Sequence, residues 1–248
     1  VGVAGCLSAV LSATLETGDE ILLPDPLWPN VEMASRLFGA TPVKYGLTPE
    51  RGFLPDLAEI EAAITARTKV LYICSPSNPT GRVMPPEMMD ALIRLCVARG
   101  IFLVSDEIYG EIVFDEDLRG AGCLSSPAMR EAAEHVIWLG GVSKAFSMTG
   151  FRVGFARAPR RVLELLEKNQ EALISCGVPF AQRGVAAILS DRAVAAETIA
   201  AAIRTYGRRR DLAVEALTAA GLPPPRALVP QGAFYMLVPC GPRGGVDC

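Results

Sequence analysis

The sequence predicts an α/β protein built on a mostly parallel, doubly wound sheet, followed by part of a smaller α+β unit. Three observations carry that expectation. Four short runs are continuously apolar, at 21–23, 70–74, 101–104 and 136–139, the pattern of strands covered on both faces. Stretches with apolar residues at one-face helical spacing lie between them, so strand and helix alternate along the chain. Beyond about residue 158 the strand-like runs thin out, and Ala-, Leu-, Arg- and Glu-rich helical sequence takes over.

Each element can be justified in order. Residues 4–17 read as a first helix closed by Gly18, and Ile21-Leu22-Leu23 as the first strand. Residues 57–66 form the next helical stretch before the strand at 70–74. From 87 to 99, Met88, Leu92, Leu95 and Cys96 share a face, with Pro85-Pro86 ahead and Gly100 behind; these are helix start and stop signals. The strands at 101–104 and 136–139 follow. Residues 162–174 and 191–220 are helical in pattern, and the second is long enough to lead out of the first domain. Pro223, Pro224 and Pro225 break it, and 234–238 reads as a strand of a second unit. The boundary is placed near residue 205, giving a large domain over 1–205 and the start of a small C-terminal one over 206–248.

Composition excludes several functions. A chain of 248 residues, half of them hydrophobic and 21% charged, buries a core without disulfide staples. A net charge of -3, with no basic run beyond Arg208-Arg209-Arg210, offers nucleic acid no electrostatic footprint. No window reaches the roughly 18 uninterrupted apolar residues of a membrane span. Seven scattered cysteines (Cys6, Cys74, Cys96, Cys123, Cys176, Cys240, Cys248) form no C-x-x-C pair. They read as reduced thiols of a cytoplasmic protein. The one histidine, His135, excludes a His-based metal cluster and reads as a surface residue, as do the three consecutive arginines. The chain opens on Val1 with no signal-peptide pattern and closes in a turn-rich stretch, so a piece of a longer protein is expected.

In open α/β sheets, ligands sit beyond the carboxyl ends of the strands. After 70–74 comes Ser75-Pro76-Ser77-Asn78-Pro79-Thr80-Gly81. After 101–104 comes Ser105-Asp106-Glu107-Ile108-Tyr109, and after 136–139 comes Gly140-Gly141-Val142-Ser143-Lys144. Three strand ends thus deliver an amide, a carboxylate with a phenol, and an amine. That set is neither a metal site nor a hydrolase triad.

The stretch Gly141-Val-Ser-Lys144-Ala-Phe-Ser-Met-Thr-Gly150-Phe-Arg152-Val-Gly154 resembles the lysine signature of the class I/II aminotransferases. These are pyridoxal-phosphate enzymes of fold type I, aspartate aminotransferase-like. Ser75 to Gly81 and Asp106-Glu-Ile-Tyr109 resemble two more landmarks of that family, in the same order. Asn78 lies 28 residues before Asp106, Tyr109 three after it, and Arg152 eight after Lys144.

The resemblance implies a role for each residue. Lys144 would carry pyridoxal 5'-phosphate as a Schiff base and move the substrate α-proton. Asp106 would face the protonated pyridine nitrogen, and Tyr109 and Asn78 the phenolic oxygen; Lys144, Asp106 and Tyr109 are the catalytic set. The phosphate would sit at a helix N-terminus made by Gly5 and the backbone of Cys6, with Arg152 and Ser143 added. Trp28 would stack on the ring.

The implied activity is transfer of an amino group between an L-amino acid and a 2-oxo acid, by a cytoplasmic homodimer with no nucleic-acid or membrane partner. A lyase or synthase of the same fold is an alternative, as is the effector domain of an aminotransferase-like transcription regulator. Departures from the family pattern are Cys6, where Ser, Thr or Lys is common, and Gly141, where some relatives carry serine. The arginine that grips the substrate carboxylate lies well beyond a Gly-Ala-Phe-Tyr strand, here 232–235. Arg243 comes only eight residues after Tyr235, and the N-terminal arm is absent. The cofactor half of a site is expected, the substrate half mostly not, and the chain alone is expected to be inactive.

Overall fold

The computed structural model describes residues 1–238, apart from the side chain of Leu173. Six strands make one sheet: β1 (Glu20–Asp25), β2 (Thr41–Gly46), β3 (Thr68–Cys74), β4 (Phe102–Asp106), β5 (Val136–Gly141) and β6 (Gly154–Arg157). Their order is β2-β1-β3-β4-β5-β6. All neighbours run parallel except β6, which pairs antiparallel with β5. The helices are α1 (Gly2–Thr14), α2 (Asn30–Leu37), α3 (Leu57–Ala63), α4 (Pro86–Arg99), α5 (Met129–Ala132), α6 (Arg160–Ile174), α7 (Pro179–Ser190) and α8 (Arg192–Ala219).

The continuous apolar runs follow from burial on both faces. Side chains alternate along a strand, so Leu22, Leu71, Ile73 and Leu103 pack with Ile60, Met89, Leu92, Ile93 and Met129 of α3, α4 and α5. Ile21, Leu23, Val70, Tyr72 and Val104 face the other way, onto Leu7, Val10 and Leu11 of α1, Val31 of α2 and Val162 of α6. The expected doubly wound α/β fold is the one observed. Register fixes the sheet edge that matters: Cys74 lies opposite Asp106, and Asp106 opposite Leu139. The loops leaving β3, β4 and β5 therefore emerge side by side.

Several elements depart from the sequence pattern. Strands β2 and β6 and helices α2 and α7 lie outside the stretches that the sequence pattern marks. In β2 only Tyr45 is buried, as suits an edge strand. Residues 234–238 are not a strand; among the described residues their neighbourhood offers only an isolated antiparallel bridge between Val113 and Gly232. The 28-residue α8 runs unbroken through residue 205, the expected domain boundary, and has no buried residue. His135 is not a free surface group: its Nδ1 lies 3.1 Å from the Ile101 carbonyl. Arg208 and Arg209 are exposed, but Arg210 is half-buried, donates to the Pro230 carbonyl and lies 4.8 Å from the Phe114 ring centre.

Candidate active site

A cavity of about 220 Å³ opens beyond the carboxyl ends of β3, β4 and β5. Asn78, Asp106, Tyr109, Ser143, Lys144, Arg152 and Trp28 all line it. Separate loops bring these side chains together because the strands that launch them end in register.

Asp106 ends β4 and is only 2% exposed. Its Oδ1 accepts the Ile108 N–H at 3.1 Å and its Oδ2 the Tyr72 O–H at 3.1 Å. Burial nevertheless pushes the carboxyl up to about 6, because losing water penalises the charge more than two donors restore it. A carboxylate held this way is poised to pair with a cationic partner entering the cavity.

Lys144 follows β5 in a tight turn, half-buried, with its Nζ 5.7 Å from the Tyr109 ring centre and 5.8 Å from that of Phe234. The Tyr109 and Tyr235 hydroxyls are 2.7 Å apart, and the Tyr109 ring meets Phe234 and Tyr235 edge-on. Burial pushes the Tyr109 phenol well up from its ordinary range, so it stays protonated. Gly81 makes this arrangement possible. Its φ is +69°, and a Cβ there would lie 2.6 Å from Pro230 Cβ and 2.8 Å from the Tyr235 carbonyl. Its own carbonyl accepts the N–H groups of Gln231 and Gly232. The 75–81 loop thereby docks the distant 230–235 segment onto the site.

The cationic end is built by α1 and Arg152. Helix α1 starts at Gly2, whose N–H donates to the Arg152 carbonyl at 2.9 Å. Arg152 adopts φ +56°, and its guanidinium donates to the carbonyls of Val1 at 3.2 Å and Thr149 at 3.0 Å. Gly2 has φ +67°, and a Cβ there would meet Arg152 Nη2 at 2.7 Å. Val3 and Ala4, in the helix's first turn, line the cavity beside Arg152 and present N–H groups that have no partner within a helix.

Gly5 and Cys6 are therefore a correction to the sequence reading. The Gly5 N–H already donates to Val1, and neither residue lines the cavity. Cys6 packs into the apolar layer, where burial pushes its thiol up. The glycine that opens the helix is Gly2, three residues earlier.

Pattern reading passed over Tyr72, Cys74 and Tyr235, which also line the cavity. Tyr72 and Cys74 sit inside an apolar run. A tyrosine there was still a signal, since a buried phenol needs a partner for its hydroxyl. Among the described residues, no group of three or more His, Cys, Asp or Glu side chains could hold a metal. No described helix is long and apolar enough to cross a membrane.

A doubly wound sheet with an amine, a buried carboxylate and a guanidinium gathered beyond its strand ends defines a domain that holds a small ligand at that edge. The chain belongs to the class I and II aminotransferase family, whose model matches residues 1–244. It is 36% identical over 242 residues to the aspartate/prephenate aminotransferase of Thermus thermophilus, covering 98% of this chain and 60% of that protein. The arginine–pyruvate transaminase of Pseudomonas aeruginosa is 32% identical, over 98% of this chain and 59% of its own. A solved Thermus thermophilus aspartate aminotransferase, a double mutant, superposes with a TM-score of 0.89 at 36% identity, covering 96% of this chain and 60% of that one. The chain thus spans about 60% of the length of these relatives.

The family generally works with pyridoxal phosphate, and the donor set here fits that group. An amine is available for its aldehyde, a buried carboxylate for its ring nitrogen, and a phenol and an amide for its phenolic oxygen. A helix N-terminus with an arginine is available for its phosphate, where Val3, Ala4 and Arg152 line the cleft.

Proposed function

We propose that this chain forms the cofactor-binding part of an aminotransferase that moves an amino group between an amino acid and a 2-oxo acid. The observation that carries the reading is the convergence of Lys144, Asp106 and Arg152 on one cavity at the sheet's ligand-binding edge. When bound, pyridoxal 5'-phosphate supplies an electron sink for the pair released as the substrate's Cα–H bond breaks.

The chain's own residues do the rest. Lys144 Nζ would hold that group through its aldehyde carbon and, when free, would take and return the proton at the substrate's Cα. The Asp106 carboxylate keeps a proton on the ring nitrogen. Tyr109 and Asn78, which line the cavity, would hydrogen-bond the phenolic oxygen, and Trp28 would shield the group from water. Arg152, Ser143 and the Val3 and Ala4 N–H groups bind the phosphate, a guanidinium offering two parallel donors to its oxygens.

The relatives are named for amino acids (aspartate, arginine) and for 2-oxo acids (prephenate, pyruvate), compounds that share a carboxyl group beside a carbon bearing either an amino or an oxo group, and that feature defines the substrate class. A cytoplasmic homodimer with no nucleic-acid or membrane partner belongs to the same reading. The test is Lys144→Ala. In the full-length protein the variant is expected to lose both amino-group transfer and the visible absorbance band of the lysine-bound cofactor; a variant that keeps the band overturns the assignment.

A further inference from the structure

Tyr72 has no part in the roles assigned above, yet it is the side chain most closely tied to Asp106. It lies on β3, between β1 and β4, two residues before Cys74, which pairs with Asp106 across the ladder. Tyr72 and Asp106 are thus diagonal neighbours on one face of the sheet, within reach of a long side chain. The ring is 1% exposed, and the O–H donates to Asp106 Oδ2 at 3.1 Å. Its backbone is held as well, since the Tyr72 carbonyl accepts the Tyr45 O–H at 2.9 Å.

We propose that Tyr72 is a positioning residue for the site: its buried phenol O–H holds one oxygen of Asp106, keeping that carboxylate ionised and aimed into the cavity. The inference rests on the reading of Asp106 as partner of a bound ring nitrogen. Among the described residues the geometry supplies two donors to a carboxylate that water barely reaches, and the other one, the Ile108 N–H, belongs to the next turn of the same loop. Tyr72 is the only side chain of the pair. A carboxylate held by one donor instead of two rotates more freely and gives up its charge more readily.

The other groups facing Asp106 do not replace it. From β3, Cys74 is a thiol that burial pushes up, and Cys6 from α1 is another. Glu107, next in the chain, opposes the charge and is itself taken up by Ser105 Oγ, the Cys123 N–H and Trp138 Nε1. The Tyr109 hydroxyl pairs with that of Tyr235 rather than with Asp106. Lys144, from the loop after β5, favours the ionised form, but its amine is committed to the chemistry. Tyr72 itself stays a neutral donor, because burial pushes its phenol well up.

The test uses the full chain, first without added cofactor. The Asp106 carboxyl carbon is followed by 13C NMR through its titration in wild type, in Tyr72→Phe and with 3-fluorotyrosine at position 72, using Asp106→Asn for assignment. Loss of one donor to a charged acceptor should raise the midpoint by about one pH unit. The fluorinated phenol, a stronger donor of nearly the same shape, should lower it even if the Phe variant folds poorly. Pyridoxal phosphate labelled with 15N at the ring is then added, and Tyr72→Phe should lower the pH at which that nitrogen loses its proton.

An Asp106 midpoint unmoved by both substitutions overturns the proposal. So does a midpoint that moves while the ring nitrogen titrates as in wild type, since the hydrogen bond then serves only folding. Wild type that fails to take up pyridoxal phosphate overturns the functional reading, and the proposal with it. Wild type that binds while Tyr72→Phe matches it in both titrations rejects Tyr72 alone.

Discussion

Asp106 shows how a single environment sets both stability and chemistry. Burial raises its carboxyl from the ordinary 3.8 to about 6. The folded chain without cofactor therefore binds more protons than the unfolded chain between those two values. Stability conferred by the protonated form is fully present below about pH 4 and is lost as pH rises toward 6. Each pH unit across that interval is worth about 1.4 kcal/mol, so Asp106→Asn should stabilise the cofactor-free chain by about 3 kcal/mol at pH 8. The gain should vanish at pH 4, where both side chains are neutral. Urea unfolding at the two pH values measures this; equal effects at both would mean that water reaches the carboxylate. In the loaded enzyme the same substitution acts in the opposite sense. Removing one preorganised charge costs on the order of a hundredfold in turnover, so Asp106→Asn should gain stability and lose rate together.

At the scale of elements, what could be read from the sequence follows the physics of burial. Strands β1, β3, β4 and β5 are covered on both faces, so their apolar runs are unbroken and visible. The edge strands β2 and β6 alternate or mix, and they leave no such mark. Six of the expected cavity residues lie at or beyond the ends of β3, β4 and β5, and Trp28 lies just past β1. They were legible because a strand end followed by polar residues is itself the signal. Tyr235 was not, because only the docking of 230–235 on the 75–81 loop brings it there. The start of α1 was misplaced because two glycines, Gly2 and Gly5, both precede the apolar face, and only backbone geometry distinguishes them. Gly81 tests the docking directly. A side chain at φ +69°, with a Cβ 2.6 Å from Pro230, strains backbone and neighbour together. Gly81→Ala should cost about 1–3 kcal/mol, and denaturant unfolding reads that cost. It should also release Tyr235 from Tyr109, which the near-ultraviolet circular dichroism of the aromatic cluster reports. A variant as stable as wild type would mean that 230–235 packs there without help from the loop.

For the whole molecule, the inventory of charge around the cavity decides which substrates the chain can favour. Among the described residues, the cations lining it are Lys144 and Arg152. The first is committed to covalent attachment and the second sits with the Val3 and Ala4 N–H groups, where a phosphate would bind. Neither is left to grip the α-carboxylate of an amino acid. Arg210 does not serve as a third: it is engaged by Asp211, the Pro230 carbonyl and the Phe114 ring, and it lines neighbouring clefts instead. A site that binds a charged group through a dedicated partner rejects analogues lacking that charge, because its own charge is then left unpaired. A site without the partner discriminates weakly. Any residual single-turnover reaction of the chain as it stands, loaded with pyridoxal phosphate, should therefore discriminate little between an amino acid and its methyl ester, within about threefold. In a site with a committed arginine the free acid should win by on the order of a hundredfold, the worth of a charge-assisted pair. Single-turnover rates for the two substrates make the comparison. A strong preference for the free acid would show that some residue outside 1–238, Arg243 being one to test by substitution, supplies the missing cation.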